Sequence, residues 1–523
     1  MTDCMRAGPT IEMPANETLP SLADGLARRT PDAIVLVDGV TGATMSAGEL
    51  AKAYRKAARG LVALGFGKGD CLCTLMPNDM TWYVAALAAQ SLGGAISGIN
   101  PMASPGEIQR QFAQLPAKVI LAAPPLIEVA KAAAGALGLS VLSTTAGRDD
   151  VAAILEIDGP EPEPPAISQD DVALMPFSSG TSGLPKAVIV THRNLVAAGT
   201  QIPAVLGYGR GSIFLGLPPL FHIVGPSLLP AALLEGGSII VVPRLDAELI
   251  FDAIERFGVT HMPLLTPILR MLSLHPAGDG RDFSRLRVIG AGGSAMAPTV
   301  HEEATRRFGC AVVQVYGMTE TSSIICVDDP AGISRETVGR PVANLSIRIV
   351  DPETLRPCVA GESGEVQARG PNIISGYFRN EAESKALFTD DGWMRTGDIG
   401  RFDETGKLTL TGRIKEMIKV NSAQVAPAEL EMLLCGHPAV VEAAVVGRGN
   451  PYCGEVPVAF LVLKEPADPF VIIDAVNDQV IRYKRIRDVR VVEALPKNAT
   501  GKIDRKALAE VGDTQFGDHA RAA

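Results

Sequence analysis

Ser178-Ser-Gly-Thr-Ser-Gly-Leu-Pro-Lys186 is the densest run of small and hydroxylated residues in the 523-residue chain, and it ends on a lysine. Val- and Ile-containing segments flank it, so strands are predicted at residues 172–177 and 187–190. Hydroxyls and free backbone N–H groups can surround phosphate oxygens, and a lysine adds a point charge. An isolated loop of this composition is more often a surface hairpin, so the rest of the sequence must decide between the two interpretations.

The loop does not match the Walker phosphate loop, G-x-x-x-x-G-K-[ST], which lies between a strand and a helix. Gly180 and Gly183 have the wrong spacing, and Pro185 stands where the second glycine belongs. A predicted strand, not a helix, follows Lys186. The P-loop NTPase class is therefore excluded.

Length and composition limit the remaining classes. A chain of 523 residues exceeds one hydrophobic core, so at least two domains are expected. The hydrophobic fraction of 47% and the charged fraction of 20% are typical of a globular protein. A formal net charge of −10 argues against nucleic acid as a partner.

Cysteine usage and hydropathy favour a cytoplasmic enzyme with no membrane span. The eight cysteines lack zinc-site spacing, so reduced thiols are expected. The N-terminal residues lack the apolar core of a signal peptide. Residues 84–99 form the most apolar candidate span, but they are too few to cross a bilayer and are predicted to form a buried helix.

Apolar runs rich in Val and Ile alternate with helical patterns from about residue 30 onward, which is typical of an α/β fold. Residues 34–37 and 71–76 are predicted strands, and residues 47–64 a predicted amphipathic helix. The segment 156–165 is rich in Pro and Glu and is predicted to be an exposed connection.

A separate pattern follows Gly412, with predicted strands at 440–446, 456–463 and 489–492 and a helix at 471–483. These elements suffice for a small domain of their own. We therefore predict a large N-terminal body of α/β subdomains, residues 1–411, and a small mobile α+β C-terminal lid domain, residues 412–523.

Seven further motifs follow the loop in chain order: Pro219-Leu-Phe-His-Ile223, Ala291-Gly-Gly-Ser-Ala295, Tyr316-Gly-Met-Thr-Glu320, Trp393-Met-Arg-Thr-Gly-Asp398, Gly412-Arg-Ile-Lys-Glu-Met-Ile-Lys419, Gln424-Val-Ala-Pro-Ala-Glu-Leu-Glu431 and Pro496-Lys-Asn-Ala-Thr-Gly-Lys502. Together with the loop they resemble the adenylate-forming superfamily, which comprises acyl- and aryl-CoA synthetases, firefly luciferase and the adenylation domains of peptide synthetases. The resemblance covers nearly the whole chain, and it is nearest to 4-coumarate:CoA ligases and their bacterial relatives.

The resemblance implies a two-step ligase. A small carboxylic acid attacks ATP in the presence of Mg²⁺ to give acyl-AMP and pyrophosphate, and the thiol of coenzyme A then displaces AMP. Joining a carboxylate to a phosphate brings two anions together in a partly dry site, at a cost on the order of several kcal/mol. A metal ion, lysines and hydroxyls are therefore needed to neutralise charge.

The resemblance also assigns the residues that hold the nucleotide. Those expected to surround the departing phosphates are Ser178, Ser179, Gly180, Thr181, Ser182, Gly183 and Lys186. Those expected to bind AMP are Gly292, Gly293, Ser294, Tyr316, Gly317, Asp398 and Arg413. Tyr316 would stack on adenine, and Asp398, whose carboxylate only accepts hydrogen bonds, would bind both ribose hydroxyls.

Glu320 is expected to hold Mg²⁺. Taken singly, Glu320 could equally be a solvated helix cap, Tyr316 a core residue, Asp398 an ordinary turn residue and Arg413 a surface arginine. The order of the motifs favours the functional interpretation.

The residues assigned to catalysis by resemblance are Lys502, His222, Lys419, Gln424 and Thr319. Lys502 would reach from the lid to bridge the substrate carboxylate and the α-phosphate, and Lys415 would be the hinge of the lid. A lysine near the end of a chain is usually a solubilising charge, and a single histidine after an apolar run is usually structural.

The residues expected to line the acyl pocket are His222, Val224, Gly292, Gly317, Thr321, Ser322 and Ile324. They are apolar or small, and no acidic residue among them could pair a substrate amine, so amino acids are disfavoured. An aromatic or medium-chain acid is expected instead. Val224 stands where plant coumarate ligases carry a tyrosine, which departs from a coumarate pocket.

A second departure concerns the thiol. Ser422 replaces a glycine that approaches the pantetheine channel in the family, and it adds a Cβ and a hydroxyl there. A carrier-protein thiol is therefore the alternative acceptor. A non-catalytic nucleotide-binding module is a further alternative, which the presence of Glu320, Asp398 and Lys502 disfavours. The protein is expected to be a monomer or a homodimer.

Overall fold

The computed structural model describes residues 5–145, 151–161, 165–178, 185–334, 337–359, 361–420, 423–450, 452–497 and 503–511. Within these residues, two large sheets, two five-stranded sheets and one two-stranded hairpin are formed. The α/β fold class predicted above is confirmed.

The largest sheet has nine strands, in the order Arg340–Pro341, Cys326–Val327, Ala311–Tyr316, Val288–Gly292, His261–Leu265, Ile213–Gly216, Ser238–Val241, Ile34–Asp38 and Thr44–Ser46. Its six central strands are parallel, and the outer pairings are antiparallel. Parallel strands place their carboxyl ends along one edge, which is where ligands bind in open α/β sheets.

The second large sheet has six strands, in the order Val190–Thr191, Val172–Leu174, Ala95–Gly98, Cys71–Leu75, Ala117–Ala122 and Ser140–Ser143. All its pairings are parallel except the one between Val190–Thr191 and Val172–Leu174. The strand that leads into the serine- and glycine-rich loop and the strand that leaves it are therefore direct neighbours.

Helices cover both large sheets. The helices that share one apolar core with both sheets are Leu19–Arg29, Ala47–Ala63, Met80–Ser91, His192–Leu206 and Leu228–Glu235. Those on the other face of the nine-stranded sheet are Ala247–Phe257, Thr266–Leu274 and Pro298–Phe308. Those on the other face of the six-stranded sheet are Pro105–Ala113 and Ile127–Leu137. The result is a five-layered body, as expected for parallel sheets that must be buried on both faces.

Helix Ala47–Ala63 shows how the sequence specifies these elements. Ser46 and Glu49 form a reciprocal capping box at its start, and Leu50, Tyr54 and Leu61 recur on its buried face. Capping satisfies backbone donors that the first turn leaves unpaired, and each buried leucine contributes about 1.5–3 kcal/mol.

A five-stranded antiparallel sheet follows, in the order Met5–Ala7, Ser346–Val350, Gly364–Arg369, Met394–Phe402 and Leu408–Arg413. It shares an apolar core with the Cys326–Val327 edge of the nine-stranded sheet. The short helix Glu381–Leu387 lies in the connection between its third and fourth strands.

Residues beyond 417 form a further sheet with its own core. Its strands are Ala423–Val425, Ile418–Val420, Gly454–Leu463, Val440–Asn450 and Asp488–Val491, and its helices are Pro427–Cys435, Pro469–Asn477 and Arg505–Val511. Leu408–Arg413 belongs to the preceding sheet, and the 3-10 turn Ile414–Glu416 and Met417 lie between the two. The lid boundary at residues 411–412 and the hinge at Lys415 stay predictions.

Two predicted helices were too long. Residues 84–99 form the end of helix Met80–Ser91 and then strand Ala95–Gly98, because Gly93 adopts a left-handed φ of +73° after the helix. The predicted helix at 471–483 ends at Asn477. In the part of the chain that the structure describes, no helix combines the length and the apolar character needed to cross a membrane.

Candidate active site

The loop that opened the sequence analysis has a hairpin base. Phe177–Ser178 pairs antiparallel with Lys186–Ala187, as the predicted flanking strands require. Residues 179–184 of the predicted phosphate loop lie outside the described residues. Ser178 is buried, and its Oγ has no hydrogen-bond partner among the residues described.

Lys186 lies in a pocket of polar and aromatic groups. Its side chain is 9% exposed, and its Nζ is 2.7 Å from Glu383 Oε2. Nζ also lies 5.1 Å from the ring centre of Tyr377, within the range of a cation–π contact. The Lys186 hydrogen bond is the main cause of a lowered pKa of the Glu383 carboxyl. Lys186, the lysine of the predicted phosphate loop, is thus held in place by an ion pair and an aromatic ring.

Glu320 lies in the 3-10 turn Thr319–Thr321, directly after strand Ala311–Tyr316. Its residue is 8% exposed, and its Oε1 accepts a hydrogen bond of 2.9 Å from the Tyr377 hydroxyl. Burial, reinforced by the Glu320 charge, raises the pKa of Tyr377 far above its usual value, so the hydroxyl stays a donor. Tyr377 therefore links Glu320 to Lys186.

The surroundings of Glu320 fit a magnesium ion bound together with substrate. Mg²⁺ is commonly held by one or two carboxylates plus substrate phosphates. No group of three or more His, Cys, Asp or Glu side chains in the described ranges could hold a metal by itself. Glu320 supplies one buried carboxylate close to the base of the predicted phosphate loop. This arrangement suits a Mg²⁺ ion held jointly by a carboxylate and by substrate phosphates.

Asp398, Arg413 and Tyr316 form a second cluster. Asp398 and Arg413 are paired across neighbouring antiparallel strands, and Arg413 Nε lies 2.9 Å from Asp398 Oδ1. The Tyr316 hydroxyl donates to Asp398 Oδ2 at 2.5 Å. Three residues from distant motifs thus meet, and protein side chains bind both oxygens of Asp398.

The electrostatics of this cluster follow from its burial. The charge of Asp398 is the main cause of a raised pKa of Arg413, so the guanidinium is firmly protonated. Burial, and next the Asp398 charge, raises the pKa of Tyr316 well above its usual value. The cluster therefore presents a neutral phenol, a carboxylate and a cation.

The backbone packs so closely around glycines at the carboxyl ends of two neighbouring parallel strands that a side chain would not fit there. A Cβ on Gly292 would lie 2.6 Å from the Val315 carbonyl oxygen, and one on Gly317 would lie 2.0 Å from that of Ser323. The Thr266 hydroxyl donates to the carbonyls of Gly292 and Ser294 and fixes the turn through Gly293, whose φ is +83°. The backbone at this edge requires glycine.

The predicted acyl-pocket residues come from three parts of the chain. His222 and Val224 are partly buried in the turn after Pro219, whereas Thr321, Ser322 and Ile324 are fully buried after Glu320. Ser322 Oγ has no hydrogen-bond partner in the described part of the chain. Both segments follow carboxyl ends of strands in the nine-stranded sheet.

The C-terminal residues are described only in part. Lys419 and Gln424 are cross-strand neighbours in the hairpin of Ile418–Val420 with Ala423–Val425. Lys502 and Ser422 lie outside the described residues. The flanks of Lys502 form a closed hairpin base, since Asp504 N donates to Pro496 O at 2.8 Å and Lys497 bridges to Ile503.

Sequence reasoning missed Tyr377 and Glu383. They lie in a segment with no motif signal, since an aromatic residue after a glycine and a glutamate in a helix are both common. Their partners are 57 and 197 residues away in the chain, so only the folded structure reveals them.

Comparison with known proteins identifies the class of site that these clusters form. A family model for AMP-binding enzymes matches residues 24–378, and one for the AMP-binding enzyme C-terminal domain matches residues 429–502. The chain belongs to the AMP-binding enzyme family. The resemblance to the adenylate-forming superfamily is therefore confirmed, and this AMP-binding enzyme is an AMP-forming acid–thiol ligase.

Individual relatives agree over most of their length. The 4-coumarate–CoA ligase 5 of Oryza sativa subsp. japonica is 35% identical over 494 residues, which cover 91% of this chain and 91% of the relative. The o-succinylbenzoate CoA synthetase (MenE) of Bacillus subtilis, solved with the acyl-adenylate intermediate OSB-AMP, has a TM-score of 0.85 and 28% identity, covering 97% of this chain and 100% of that chain. The ATP-bound MatB of Rhodopseudomonas palustris has a TM-score of 0.86 and 25% identity, covering 95% of this chain and 99% of that chain.

Proposed function

We propose that this AMP-binding enzyme activates an aromatic or medium-chain carboxylic acid as its acyl-AMP and then forms the CoA thioester. The observation that carries the proposal is the assembly of two clusters from residues far apart in the chain, Lys186–Tyr377–Glu320 and Tyr316–Asp398–Arg413. Strand Ala311–Tyr316 joins them, since Tyr316 ends it and Glu320 lies in the turn that follows. One cluster suits polyphosphate, and the other suits a nucleoside.

In the first half-reaction a carboxylate oxygen of the acid attacks the α-phosphorus of ATP. The bond from this phosphorus to the bridging oxygen breaks, and pyrophosphate leaves with its electron pair. Ser178 and Lys186 would hold the departing phosphates, and Arg413 would add positive charge near the ribose. Mg²⁺, when held by Glu320 and the phosphates, would neutralise charge that develops on the leaving group.

Lys502 would bridge the substrate carboxylate and the α-phosphate in this step, with His222 close to the reacting carboxylate and Thr319 against phosphate. In the second half-reaction the thiol of CoA attacks the acyl carbon, and AMP leaves. Rotation of the lid about Lys415 would remove Lys502 and bring Lys419 and Gln424 to the site.

The choice of acid follows from the predicted pocket. Glycines at positions 292 and 317 and the apolar residues Val224 and Ile324 leave no charge to pair a substrate amine. Two relatives are named for aryl acids, coumarate and o-succinylbenzoate, which supports an aromatic substrate. Val224, in place of the tyrosine of plant coumarate ligases, favours an acid other than coumarate.

The second candidate function shares the first half-reaction and differs in the thiol. Ser422 stands where the family has a glycine near the pantetheine channel, and a carrier-protein thiol is therefore kept as the alternative acceptor to CoA. A cytoplasmic location and a monomeric or homodimeric state remain predictions for both.

Carboxylate-dependent exchange of pyrophosphate into ATP tests the proposal. A panel of aryl, medium-chain alkyl and amino acids is measured with ATP and Mg²⁺, and CoA is then added to follow release of AMP. Exchange with aryl or alkyl acids, followed by CoA-dependent AMP release, is expected. No exchange with any acid would reject both candidates. Exchange without AMP release on adding CoA would favour the carrier protein.

A further inference from the structure

The turn after Glu320 has an unusual backbone. Ser322 has a φ of +50° and Ser323 a φ of +97°. Residues with a Cβ rarely adopt positive φ, and two in succession store strain that persists only where the surroundings fix the conformation. Thr321, Ser322 and Ile324, three residues predicted to line the acyl pocket, belong to this turn.

The side chain of Asn372 holds the turn from both sides. Asn372 is fully buried, and its Nδ2 donates to Thr321 O at 2.9 Å and to Ile324 O at 2.7 Å. The two acceptors flank the strained serines. In addition, Ile374 N donates to Glu320 O at 3.1 Å. An amide has only two N–H donors on its nitrogen, and both are used here.

Segment 371–374 is itself held by helix His192–Leu206. Asn194 Nδ2 donates to the carbonyls of Pro371 and Ile373, both at 2.9 Å. Gln201 Nε2 lies 3.2 Å from Asn372 Oδ1, to which it donates. The helix begins directly after strand Val190–Thr191, so these bonds connect the strand that follows the phosphate hairpin to the strained turn.

We propose that Asn372 is a positioning residue that fixes the 321–324 turn and thereby determines which acids the pocket accepts. Since buried polar groups lose free energy when a partner is removed, no small side chain can replace its two donated bonds. The inference rests on the proposed acid-activating function, because it concerns the acid pocket of that same site.

The proposal predicts an effect on the acid and not on ATP. In Asn372→Ala the turn loses both bonds and relaxes, so the KM for the acid is expected to rise about tenfold. The wild-type enzyme is expected to have different kcat/KM values for an acid with a narrow acyl group and one with a broad acyl group. In Asn372→Ala the ratio of these two values is expected to move toward one. The KM for ATP is expected to stay within about twofold.

The test compares Asn372→Ala with Thr260→Val as a matched control. Thr260 is also buried, and its hydroxyl accepts a 2.8 Å hydrogen bond from Ile213 N. This bond lies at the amino-terminal ends of the parallel strands, whereas the 321–324 turn follows a carboxyl end. Both variants lose buried hydrogen bonds, and their melting temperatures are measured beside the kinetics of pyrophosphate exchange. An acid selectivity that changes in Asn372→Ala alone supports the proposal. Equal selectivity in both variants and the wild type would overturn it.

A second variant covers the case in which Asn372→Ala does not fold. Glycine adopts positive φ without strain, so Ser323→Gly is expected to fold at least as stably as the wild type while the turn becomes looser. Its acid selectivity is expected to broaden, and unchanged selectivity would overturn the proposal.

The two substitutions are expected to be coupled in stability. Asn372→Ala should lower the melting temperature less when Ser323 is already glycine, and full additivity would count against the inference. This readout does not need activity. A wild-type protein inactive with every acid would therefore reject the proposed function alone.

Discussion

At the scale of single residues, Tyr377 links Glu320, the residue predicted to hold Mg²⁺, to Lys186, the lysine predicted to hold phosphate. Its hydroxyl orients the Glu320 carboxylate, and its ring lies against the Lys186 ammonium. Groups that hold a ligating carboxylate in place tune its affinity for a metal. One tyrosine therefore places the two groups expected to neutralise pyrophosphate.

Tyr377→Phe should raise the Mg²⁺ requirement of the enzyme. The ring and its contact with Lys186 remain, but the bond to Glu320 is lost and the carboxylate is no longer oriented. The Mg²⁺ concentration for half-maximal pyrophosphate exchange is expected to rise about three- to tenfold. Titration of Mg²⁺ at saturating acid measures it. Tyr452→Phe, at a residue that is 92% exposed, is the matched control and should change nothing.

An unchanged Mg²⁺ requirement in Tyr377→Phe would show that Glu320 is oriented without the Tyr377 hydroxyl.

The residues of this site also show what the sequence could predict at the scale of single side chains. Glu320, Asp398 and Arg413 were expected to act in one site because each matches a family motif, whereas the partners that hold Glu320 and Lys186 lie outside every motif. Motifs mark the groups that meet substrate, and packing decides which side chains orient them.

At the scale of elements, the bridge between Lys497 and Ile503, which flanks Lys502 in the chain, is followed at once by an anchored helix. Arg505, the first residue of helix Arg505–Val511, pairs with Glu431 at 2.5 Å and with Glu416 at 3.1 Å. It also donates to Val445 O at 2.9 Å. The start of helix Arg505–Val511, three residues after Lys502 in the chain, is thus tied to the C-terminal sheet and to the residue next to the predicted hinge.

Arg505→Met should slow adenylation. Removing one partner of a partly buried ion pair leaves Glu431 uncompensated, and the local free energy of unfolding is expected to fall by about 2 kcal/mol. Lys502 is then poorly placed, so pyrophosphate exchange should fall about tenfold or more. Amide hydrogen exchange of residues 503–511 measures the loss of local stability, and the pyrophosphate-exchange assay measures the loss of adenylation.

Arg244→Met is the control, since Arg244 pairs with Asp246 on the surface and such pairs contribute little. Equal rates of pyrophosphate exchange in Arg505→Met and wild type would mean that Lys502 needs no such anchor.

The helices and strands also show how far secondary structure could be predicted from the sequence. Helix 47–63 was predicted within one residue by its amphipathic period, whereas the apolar run 84–99 concealed a helix and a strand, because an unbroken apolar run does not separate a buried helix from a buried strand.

At the scale of the whole molecule, two buried histidines make stability depend on pH. Burial lowers the pKa of His192 to about 4 and that of His261 to about 4. In the unfolded chain an imidazole titrates near pH 6.5, so between these values the unfolded state binds more protons. Their stabilising contribution is complete above about pH 6.5 and is lost as the pH falls toward 4, by up to about 3 kcal/mol for each.

His192→Asn should weaken this dependence. The asparagine Oδ1 can replace Nδ1 as the acceptor of the Leu19 N–H, while the titrating group is removed. Between about pH 7 and about pH 5, the variant is expected to lose less free energy of unfolding than the wild type in urea denaturation. A loss equal to that of the wild type would contradict the assignment of His192 as an uncharged core residue.

The architecture of the molecule was predictable because motif order identified the family. The motifs expected to share the AMP site were assigned by resemblance, but the direct hydrogen bond between Tyr316 and Asp398 was not predictable, since it forms only when the nine-stranded and the antiparallel sheet pack together. The same holds for Asn372, because nothing in the neighbouring sequence indicates its two hydrogen bonds to the 321–324 turn. Long-range packing, and not local pattern, supplies these contacts.

The central claim, that one site performs two half-reactions with Lys502 acting in the first, is tested most directly by Lys502→Ala. Pyrophosphate exchange is expected to fall about a hundredfold or more, while thioester formation from premade acyl-AMP and CoA stays within a few-fold of wild type. Lys497→Ala, on the same hairpin and paired with Glu442, should leave both rates close to wild type. Equal loss of both half-reactions in Lys502→Ala would contradict the account.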